Sequence, residues 1–300
     1  MPFAVARCTR QGFTATLGKM QLPLVHPTKH TPLLRENGGY RSKDTNEFFA
    51  DVDGRPCFVP QNLAEHMDDE RSGLINTVKT LLRKSPLLYR FLIFLISPVC
   101  FSGLSAKRFL KRYPTNALML NIGSGIHKPR SELVNVDIFY YKGVDLVANA
   151  EALPLPTGSV DAIICESLLE HVPRPQKIVD EMYRVLKPGG GMYIVIPFVY
   201  PFHASPNDFQ RWSVTGLKEL IKAGDIEKIG TRAGPTSALV GQLGTWFAIA
   251  FSFGYEPLYN LLSLVGLLIF FPFKFLDLVL GWYPTSLHGA GQFYSVSMKK

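Results

Sequence analysis

Leu118-Met-Leu-Asn-Ile-Gly-Ser-Gly125 is a short apolar run that ends in a Gly-x-Gly turn, and Asn135-Val-Asp137 follows it. The run predicts a buried strand whose backbone turns sharply at glycine and can approach a ligand, because no Cβ stands in the way. Asp137 closes the next predicted strand, where a carboxylate can accept hydrogen bonds from both hydroxyls of a ribose. The two segments predict a nucleoside site at the carboxyl edge of a parallel sheet.

Two details distinguish this pattern from a dinucleotide-binding fingerprint. The third glycine of Gly-x-Gly-x-x-Gly is missing, because Lys128 stands in its place. Asp137 also follows Gly125 by about a dozen positions, whereas the dinucleotide fold usually places its acidic residue about twenty positions on. Both details favour S-adenosylmethionine (SAM) over NAD.

The surrounding sequence alternates strand-like and helix-like runs between residues 116 and 230, which is typical of a doubly wound parallel α/β sheet. Helices are predicted at Arg174–Leu186 and Val214–Ala223. The predicted strands are Leu118–Ile122, Leu133–Asp137, Val144–Val147, Asp161–Cys165, Gly191–Pro197 and Ile226–Gly230.

Four further segments carry a family resemblance. In order they are Asn149-Ala-Glu-Ala-Leu-Pro-Leu-Pro156, Ser159-Val-Asp161, Leu169-Glu-His-Val172 and Arg184-Val-Leu-Lys-Pro-Gly-Gly190. Together with the glycine turn they resemble the methyltransferase type 11 group of class I SAM-dependent methyltransferases, over residues 115–230. The resemblance implies a Rossmann-like seven-stranded sheet with a parallel sixth strand and an antiparallel seventh at Gln292–Met298. It also implies SAM as the cofactor.

The resemblance assigns cofactor roles to individual residues. Gly123 and Gly125 would pass under the methionine part of SAM, and Asp137 would bind the ribose. Asn149 and Ala150 would lie along the adenine, although the family usually has Asp at position 149. The remaining assignments are Asn121 near the SAM amino group, where the family often has an acid, Glu166 near the transferred methyl, and a structural turn at Lys187–Gly190.

Catalytic candidates lie in Pro197-Phe-Val-Tyr-Pro-Phe-His-Ala-Ser-Pro-Asn-Asp-Phe-Gln-Arg-Trp212, which follows the fifth strand. Related methyltransferases carry a similar segment, and loops after strand ends build the site in such sheets. His203 is either a general base or a structural brace, and Asp208 and Arg211 are candidates mainly for bracing the loop. His171 is another candidate base. Methyl transfer needs alignment above all, so a base is required only for a weakly acidic hydroxyl.

The amino-terminal region divides into a leader at 1–19, with Met20 as a possible start, and a small unit at 20–61. The unit resembles a zinc-ribbon-like domain found ahead of such methyltransferases, through His26-Pro-Thr-Lys29-His-Thr-Pro-Leu33, Ser42-x-x-Thr45 and Asp53-Gly-Arg-Pro56. Lys29 and Thr45 cannot replace thiolates, and structural zinc needs four ligands. The prediction is a degenerate domain without metal, and no metal site elsewhere.

An apolar stretch at 239–280 contains only Glu256, Lys274 and Asp277 as charged residues. Pro257 and Pro272 divide it into pieces of about fifteen to seventeen residues, short of the roughly twenty that cross a bilayer. A helical hairpin lying in one leaflet fits best, while two tilted spans and a buried helical subdomain remain open. The hairpin belongs to an insertion at 231–290, between the sixth and seventh strands. It would hold the mouth of the site against a membrane, which favours a lipid-linked acceptor.

Residues 62–114 are predicted to form a basic and apolar helical linker at the membrane surface. The formal net charge is +8, and much of the excess flanks an apolar run at 91–104. Basic residues beside such a run favour anionic lipid over nucleic acid, with a solvated basic face as the alternative. The basic residues are Lys79, Arg83, Lys84, Arg90, Lys107, Arg108, Lys111 and Arg112. Four cysteines without paired spacing indicate a reducing compartment, and hence the cytoplasmic face of a membrane.

The predicted function is SAM-dependent methylation of a lipid, a polyprenyl-linked or a quinone-type acceptor at a membrane surface, by a domain spanning 115–300. Four alternatives stay open. They are a non-catalytic membrane scaffold, a methyltransferase of a soluble small molecule, a methyltransferase of RNA or protein, and an NAD-dependent oxidoreductase.

Overall fold

The computed structural model describes residues 22–60, 97–203 and 207–300. The predicted leader and the linker up to residue 96 therefore lie outside the described residues, and so do Lys79, Arg83, Lys84 and Arg90.

A seven-stranded sheet forms the centre of the fold, in the order β10-β11-β9-β8-β5-β6-β7. Only β11 runs antiparallel to its neighbours β9 and β10, and the pairs among β5–β9 are parallel. The strands are β5 (Met119–Ile122), β6 (Val134–Asp137), β7 (Leu146–Val147), β8 (Val160–Glu166), β9 (Leu186–Pro197), β10 (Gly224–Ala233) and β11 (Gln292–Lys299).

This topology confirms the predicted class I fold, including the parallel sixth strand and the antiparallel seventh. Three strand predictions need correction at their boundaries. The third strand contains only Leu146–Val147, the sixth extends over Gly224–Ala233 instead of Ile226–Gly230, and the predicted turn at Lys187–Gly190 lies inside β9. There Gly191 pairs with Ala162 while Leu186 pairs with Val160, so the extra residues form a bulge with Gly189 at φ 74°.

Alternate residues of the strands pack into two cores, as the period of an extended chain requires. One core packs beneath α2 (Pro175–Val185) and α3 (Val214–Leu220) and includes Leu120, Ile163 and Ile194. The other packs against α1 (Ala106–Leu110), where Phe109 stacks on Tyr193 with ring centroids 5.7 Å apart. Since Phe109 and Leu110 are fully buried, the domain begins before residue 115. The predicted linker boundary at 114 is therefore too late.

The amino-terminal module is a four-stranded antiparallel sheet. Its strands are β1 (Leu33–Glu36), β2 (Gly39–Ser42), β3 (Phe48–Val52) and β4 (Arg55–Pro56), in sequential order. His26 is buried, and its Nδ1 accepts the backbone N–H groups of Thr28 and Lys29. Its Nε2 therefore carries the proton and donates to the Glu47 carboxylate at 3.0 Å. This imidazole therefore holds a tight turn together. The likeness to a zinc ribbon stays a prediction.

The module extends the large sheet at its β7 edge. Cys57 forms a parallel bridge with Val147, and the N–H of Phe58 donates to the Val147 carbonyl at 2.8 Å. Leu24 joins the main core, and Val52 and Val59 pack against Val144 and Val147. The module thereby covers a sheet edge that would otherwise expose unpaired backbone groups.

Residues 234–291 form the insertion between β10 and β11, close to the predicted 231–290. Its helices are α4 (Pro235–Ser252), α5 (Glu256–Phe270) and α6 (Asp277–Leu280), with a 3-10 segment at Phe271–Leu276. Pro257 begins α5 instead of interrupting a helix, and the chain reverses at Phe253 and Gly254, both with positive φ. Helices α4 and α5 approach closely, since a Cβ on Gly266 would lie 3.0 Å from the Gly244 Cα.

Buried polar contacts fix the insertion to the domain. Asp277 is fully buried and accepts the N–H groups of Thr236 and Ser237, at 2.9 and 2.7 Å, in the first turn of α4. Lys274 is also buried and donates to the Ser97 carbonyl at 2.7 Å. Lys274 and Asp277, two of the three charged residues in 239–280, therefore point into the protein and anchor the insertion.

The outer surface of the insertion is apolar and exposed, so a buried helical subdomain is the wrong reading of this segment. Gly266 is the only buried residue of α5, and Phe253 is 90% exposed. Among the described ranges, the helical segment Glu256–Leu280 is the one that could cross a membrane by length and composition.

Candidate functional site

A cavity opens at the carboxyl edge of the sheet, where the loops after β5, β6, β7 and β8 converge. Carboxyl ends of parallel strands are the usual place for ligand sites in such sheets. The lining includes most of the predicted cofactor residues: Gly123, Gly125, Asp137, Asn149, Ala150 and His171, together with Phe139, Tyr141, Ser167 and Leu168.

The glycine turn after β5 needs glycine at both positions for different reasons. Gly123 has φ 67°, and a Cβ there would lie 2.8 Å from the Leu168 side chain. Gly125 has φ 50°, and nothing among the described residues lies within 4 Å of where its Cβ would be. The backbone at Gly125 is therefore open to a ligand.

Asp137 lies at the end of β6 and is only 8% exposed. Its carboxylate accepts the N–H of Gly125 at 2.8 Å and that of Phe139 at 3.0 Å. Burial raises the pKa of Asp137, and these backbone hydrogen bonds oppose the rise. Asp137 thus ties the glycine turn to the cavity wall and offers carboxylate oxygens to a ligand.

Asn149 is exposed at the cavity rim, and its Oδ1 accepts the N–H of Glu151 at 2.9 Å. This contact forms an Asx turn, which sets the direction of the loop after β7. Ala150 follows and lines the cavity. Their position agrees with a role beside the cofactor base.

Asn121 and Glu166 do not line the cavity, contrary to what the resemblance implied. Asn121 is buried and donates to the His127 carbonyl at 2.9 Å and to Asn135 Oδ1 at 3.0 Å. Glu166 follows Ala162 and Ile164 on the α1 side of β8, whereas the cavity borders the α2 side. The two-residue period of a strand therefore turns both side chains away from the cavity.

His171 and His203 meet at one end of the cavity, with ring centroids 5.2 Å apart. His171 lines the cavity directly. Glu170 lies behind them with no exposed surface, and its Oε1 is 3.9 Å from the Nε2 atoms of both histidines. Burial raises the pKa of Glu170 and lowers that of His203.

Asp208 and Arg211 form a bidentate ion pair that closes this loop, with Nη2–Oδ2 at 2.6 Å. Arg211 holds the pKa of Asp208 down at about 2. Asp208 also accepts the His203 N–H at 2.9 Å, and Arg211 donates to the Pro201 carbonyl at 3.1 Å. These contacts fit the brace expected from the sequence, and the pair faces His203 instead of lining the cavity.

The sequence does not identify Glu170 as a site residue, although it belongs to the motif Leu169-Glu-His-Val172. A carboxylate that comes just after two leucines and the end of a strand is expected on the surface. In the structure Glu170 is fully buried, and the Phe209 N–H donates to its backbone carbonyl at 2.8 Å. This contact joins residues far apart in the chain, so no local pattern predicts it.

The amino-terminal module contacts the loop 138–141 that forms another wall of the cavity. Arg55 donates to the Tyr141 carbonyl at 2.9 Å, and its guanidinium lies 4.5 Å from the ring centroid of Tyr140. The Tyr140 hydroxyl donates to the Val52 carbonyl at 3.0 Å. Phe139 and Tyr141, on either side, line the cavity. The module therefore holds part of the cofactor site in place.

Replacing Arg55 by alanine should weaken cofactor binding about 5- to 10-fold. The change removes one hydrogen bond and one cation–π contact, together worth about 1–2 kcal/mol, which order the loop 138–141. Arg35→Ala is the matched control, because Arg35 likewise donates a hydrogen bond, to the Asp51 carboxylate, and lies 4.5 Å from the ring centroid of Tyr40, without touching that loop. Calorimetric titration with SAM measures both. Equal losses in the two variants would contradict a specific role for Arg55.

Comparison with known families adds an independent observation. Residues 100–194 match the family model described as "Methyltransferase domain". The match covers β5 to β8 and most of β9, and it includes every residue that lines the cavity. SAM is the cofactor of such domains, and the open backbone at Gly125 and the carboxylate of Asp137 fit a nucleoside there.

Several curated relatives belong to quinone biosynthesis. The chain is 34% identical over 116 residues to the ubiquinone/menaquinone biosynthesis C-methyltransferase UbiE of Pseudoalteromonas translucida, covering 37% of this chain and 43% of the relative. It is 50% identical over 38 residues to the ubiquinone biosynthesis O-methyltransferase of Xanthomonas oryzae pv. oryzae, covering 13% and 16%. The chain thus spans less than half the length of these relatives.

The fold is similar to that of solved methyltransferases. One of them is a putative sarcosine dimethylglycine methyltransferase from Galdieria sulphuraria, with 16% identity and a TM-score of 0.44. The similarity covers 70% of this chain and 97% of that one.

Proposed function

We propose that the protein transfers the methyl group of SAM to a quinone-type acceptor that reaches it from a membrane. The observation that carries this proposal is the placement of the apolar insertion and the cofactor cavity at the same edge of the sheet. Strand β10 leads into the insertion at Ala233, and β11 leaves it at Gln292, opposite the carboxyl end of β9 at Pro197.

The loop that carries His203 contacts the insertion directly. A Cβ on Gly241 of α4 would lie 3.2 Å from the Pro201 side chain. The N–H groups of Phe198 and Val199 donate to the carbonyls of Gly291 and Ala290, at 2.9 and 3.1 Å. An acceptor held at the surface of the insertion therefore has a short path to the His171 end of the cavity.

The exposed surface of the insertion supports a lipid environment. On α4, Trp246 and Ile249 are exposed three positions apart, and Phe253 is exposed directly after the helix ends. On α5, Leu261, Leu264 and Leu268 are exposed at helical spacing i, i+3 and i+7. Trp282 and Tyr283 are exposed near the end of the insertion that joins β11, and such rings favour the interface between lipid and water. Apolar residues on several sides fit a bilayer better than a single protein partner, which would cover only one side.

The described basic residues contribute less to this surface than the sequence suggested. Lys107, Arg108 and Lys111 lie along α1 or just beyond it, and Arg112 pairs with Glu227 at 2.7 Å. The neighbouring Tyr113 contacts Gly191, near the amino-terminal end of β9. Attachment would therefore depend mainly on apolar contact, with anionic lipid as a secondary partner on the cytoplasmic face.

The reaction needs three atoms in line: the nucleophile, the methyl carbon and the sulfonium sulfur. A bond from the acceptor to the methyl carbon forms while the carbon–sulfur bond breaks, leaving S-adenosylhomocysteine and one proton. Asp137 would hold the ribose of SAM and the glycine turn would pass under its methionine part, which directs the methyl toward His171. A quinol hydroxyl would arrive beside His171, which lines the cavity, with His203 and Glu170 packed behind it.

A labelled-methyl assay tests the proposal. The full chain in mild detergent is incubated with methyl-labelled SAM and either a prenylated 1,4-naphthoquinol or a prenylated catechol, each lacking one methyl and kept reduced. We expect label in one of them, and mass spectrometry with NMR shows whether carbon or oxygen accepts it. The fully methylated product serves as the control acceptor and should take up no label. Label confined to a water-soluble acceptor would contradict the proposal.

A further inference from the structure

We propose that Glu170, His171 and His203 form a binding site for a first-row divalent metal ion at the acceptor end of the cavity. One donor atom from each of these residues lies within 4.8 Å of the others. Two imidazoles and one carboxylate are a donor set that suits such ions better than Mg²⁺ or Ca²⁺, which prefer oxygen ligands.

The carboxylate is the first argument for a cation site. Glu170 has no exposed surface, and neither of its oxygens has a hydrogen-bond partner among the described residues. Burying a carboxyl group without a partner is unfavourable, and more so for the ionised form than for the neutral one. Most buried polar side chains have partners for this reason. A metal ion would supply the partner that both oxygens lack.

The histidine tautomers are the second argument. His171 Nδ1 lies 2.6 Å from the Asn207 carbonyl, which can only accept, so Nδ1 carries the proton. His203 Nδ1 lies 3.2 Å from the Pro201 carbonyl, and Asp208 lies 3.6 Å away. Arg211 also approaches His203 Nδ1 at 3.3 Å, but its N–H groups already have Asp208 and the Pro201 carbonyl as acceptors. The proton therefore belongs on Nδ1 in both rings.

With Nδ1 protonated, each ring presents the lone pair of Nε2 on the side of Glu170. A metal-binding histidine typically donates its other N–H to a carbonyl or a carboxylate, and this contact sets the tautomer and the ring orientation. The Asn207 and Pro201 carbonyls occupy this role here. The arrangement is therefore that of a ligand set with its outer hydrogen bonds already made.

The three donor atoms lie within 4.8 Å of one another, slightly wider than a bound ion requires. Nitrogen and oxygen ligands bind such ions at about 2.0–2.2 Å, so two donors of a shared ion are separated by no more than about 4.4 Å. The observed separations between Glu170 Oε1 and the two Nε2 atoms are 3.9 Å. Small side-chain rotations would bring the donors into bonding distance. The net charge of the cluster also suits a cation. Asp208 neutralises Arg211, so the carboxylate of Glu170 remains as the net negative charge.

Three protein ligands leave coordination positions open, and His171 brings the site to the cavity lining. This role rests on the proposed function. A hydroxyl of the acceptor would bind at an open position, where the positive ion lowers the pKa of that hydroxyl. The O–H bond breaks and its proton passes to solvent. The electron pair left on oxygen then attacks the methyl carbon directly, or it drives attack by a ring carbon, which afterwards loses its own proton while the oxygen takes one up from solvent. The metal undergoes no redox change.

Metal titration of the intact chain tests the inference. The protein is purified in detergent, freed of any affinity tag, stripped with EDTA and titrated with MnCl₂ by electron paramagnetic resonance and with ZnCl₂ by calorimetry. We expect one site per chain. In Glu170→Gln and His203→Gln the affinity should fall at least about 100-fold, because even the hydrogen-bond partners of ligands change metal affinity by about 10- to 100-fold. His288→Gln, an exposed histidine outside the cavity, is the matched control and should bind as the native chain does.

Thermal melting separates binding from folding. In EDTA, Glu170→Gln should melt at the native temperature or above it, because the change removes a buried carboxyl group without a partner. Saturating MnCl₂ should raise the melting temperature of the native chain by on the order of 5 °C and leave that of Glu170→Gln unchanged. Equal metal affinity in all variants, or none tighter than millimolar, would overturn the site. SAM titration of the same samples tests the proposed function separately, since Glu170 lies outside the lining of the cofactor cavity.

Discussion

Asp137→Ala should weaken SAM binding by ten-fold or more, the largest effect expected from any single change in the cofactor site. Hydrogen bonds from ribose hydroxyls to a carboxylate are charge-assisted, and losing them costs about 1.4 kcal/mol or more. The variant also loses the acceptor for the Gly125 and Phe139 N–H groups. Both the ribose contact and the shape of the glycine turn depend on this one side chain.

Calorimetric titration with SAM and with S-adenosylhomocysteine measures the change. Asp145→Ala is the matched control, because Asp145 accepts a backbone N–H from Asn135 at 2.8 Å but does not line the cavity. We expect Asp145→Ala to bind SAM within about two-fold of the native affinity, since it leaves every lining residue in place. Unchanged affinity in Asp137→Ala would place the cofactor elsewhere. A folded native chain that binds no SAM would favour the non-catalytic scaffold.

Trp246→Ser combined with Ile249→Ser should reduce binding to lipid vesicles at least about 30-fold. The two side chains are 60% and 62% exposed on the same stripe of α4. Full burial of a large apolar side chain is worth about 1.5–3 kcal/mol, so losing the exposed parts of two of them removes about 2 kcal/mol or more of membrane affinity. Neither side chain contributes to the buried core, so the fold should be preserved.

Co-sedimentation with vesicles of zwitterionic lipid, and of the same lipid with an anionic fraction, measures this binding. Leu34→Ser with Ile226→Ser is the matched control, because both residues are exposed and apolar but lie outside the insertion. The control should sediment like the native chain. If it lost as much binding as the α4 variant, or if the α4 variant bound normally, the insertion would not be the membrane contact. A large difference between the two vesicle types would show that basic residues contribute after all.

The parallel part of the sheet could be predicted from the sequence because its signals are local. Each buried strand is a short apolar run, and each turn into the site has glycine or a polar residue at a fixed offset. Gly123, Gly125 and Asp137 follow from this pattern, and the structure places them around one cavity. The strand boundaries differ from the prediction by a few residues, most at the β9 bulge and at both ends of β10, where backbone pairing with a neighbour sets the end of the strand.

Assignments that depended on the direction of a side chain were less accurate. Asn121 and Glu166 lie at the expected height in the sheet but face the α1 side, because neighbouring strands and their register fix which way each residue points. A resemblance between motifs gives positions along the chain, and it does not report that direction.

The fold class, the glycine turn with its acidic partner and the apolar insertion with few charges could be predicted, because they depend on residues close together in the chain. Three features follow only from the folded structure: Glu170 is buried behind two histidines, Asp277 caps α4 from across the insertion, and Arg55 supports a wall of the cavity. Each of these contacts joins residues far apart in sequence, with separations of 33, 41 and 86 positions for Glu170 to His203, Asp277 to Thr236 and Arg55 to Tyr141. Long-range packing leaves no local pattern, so its consequences appear only once the chain is folded.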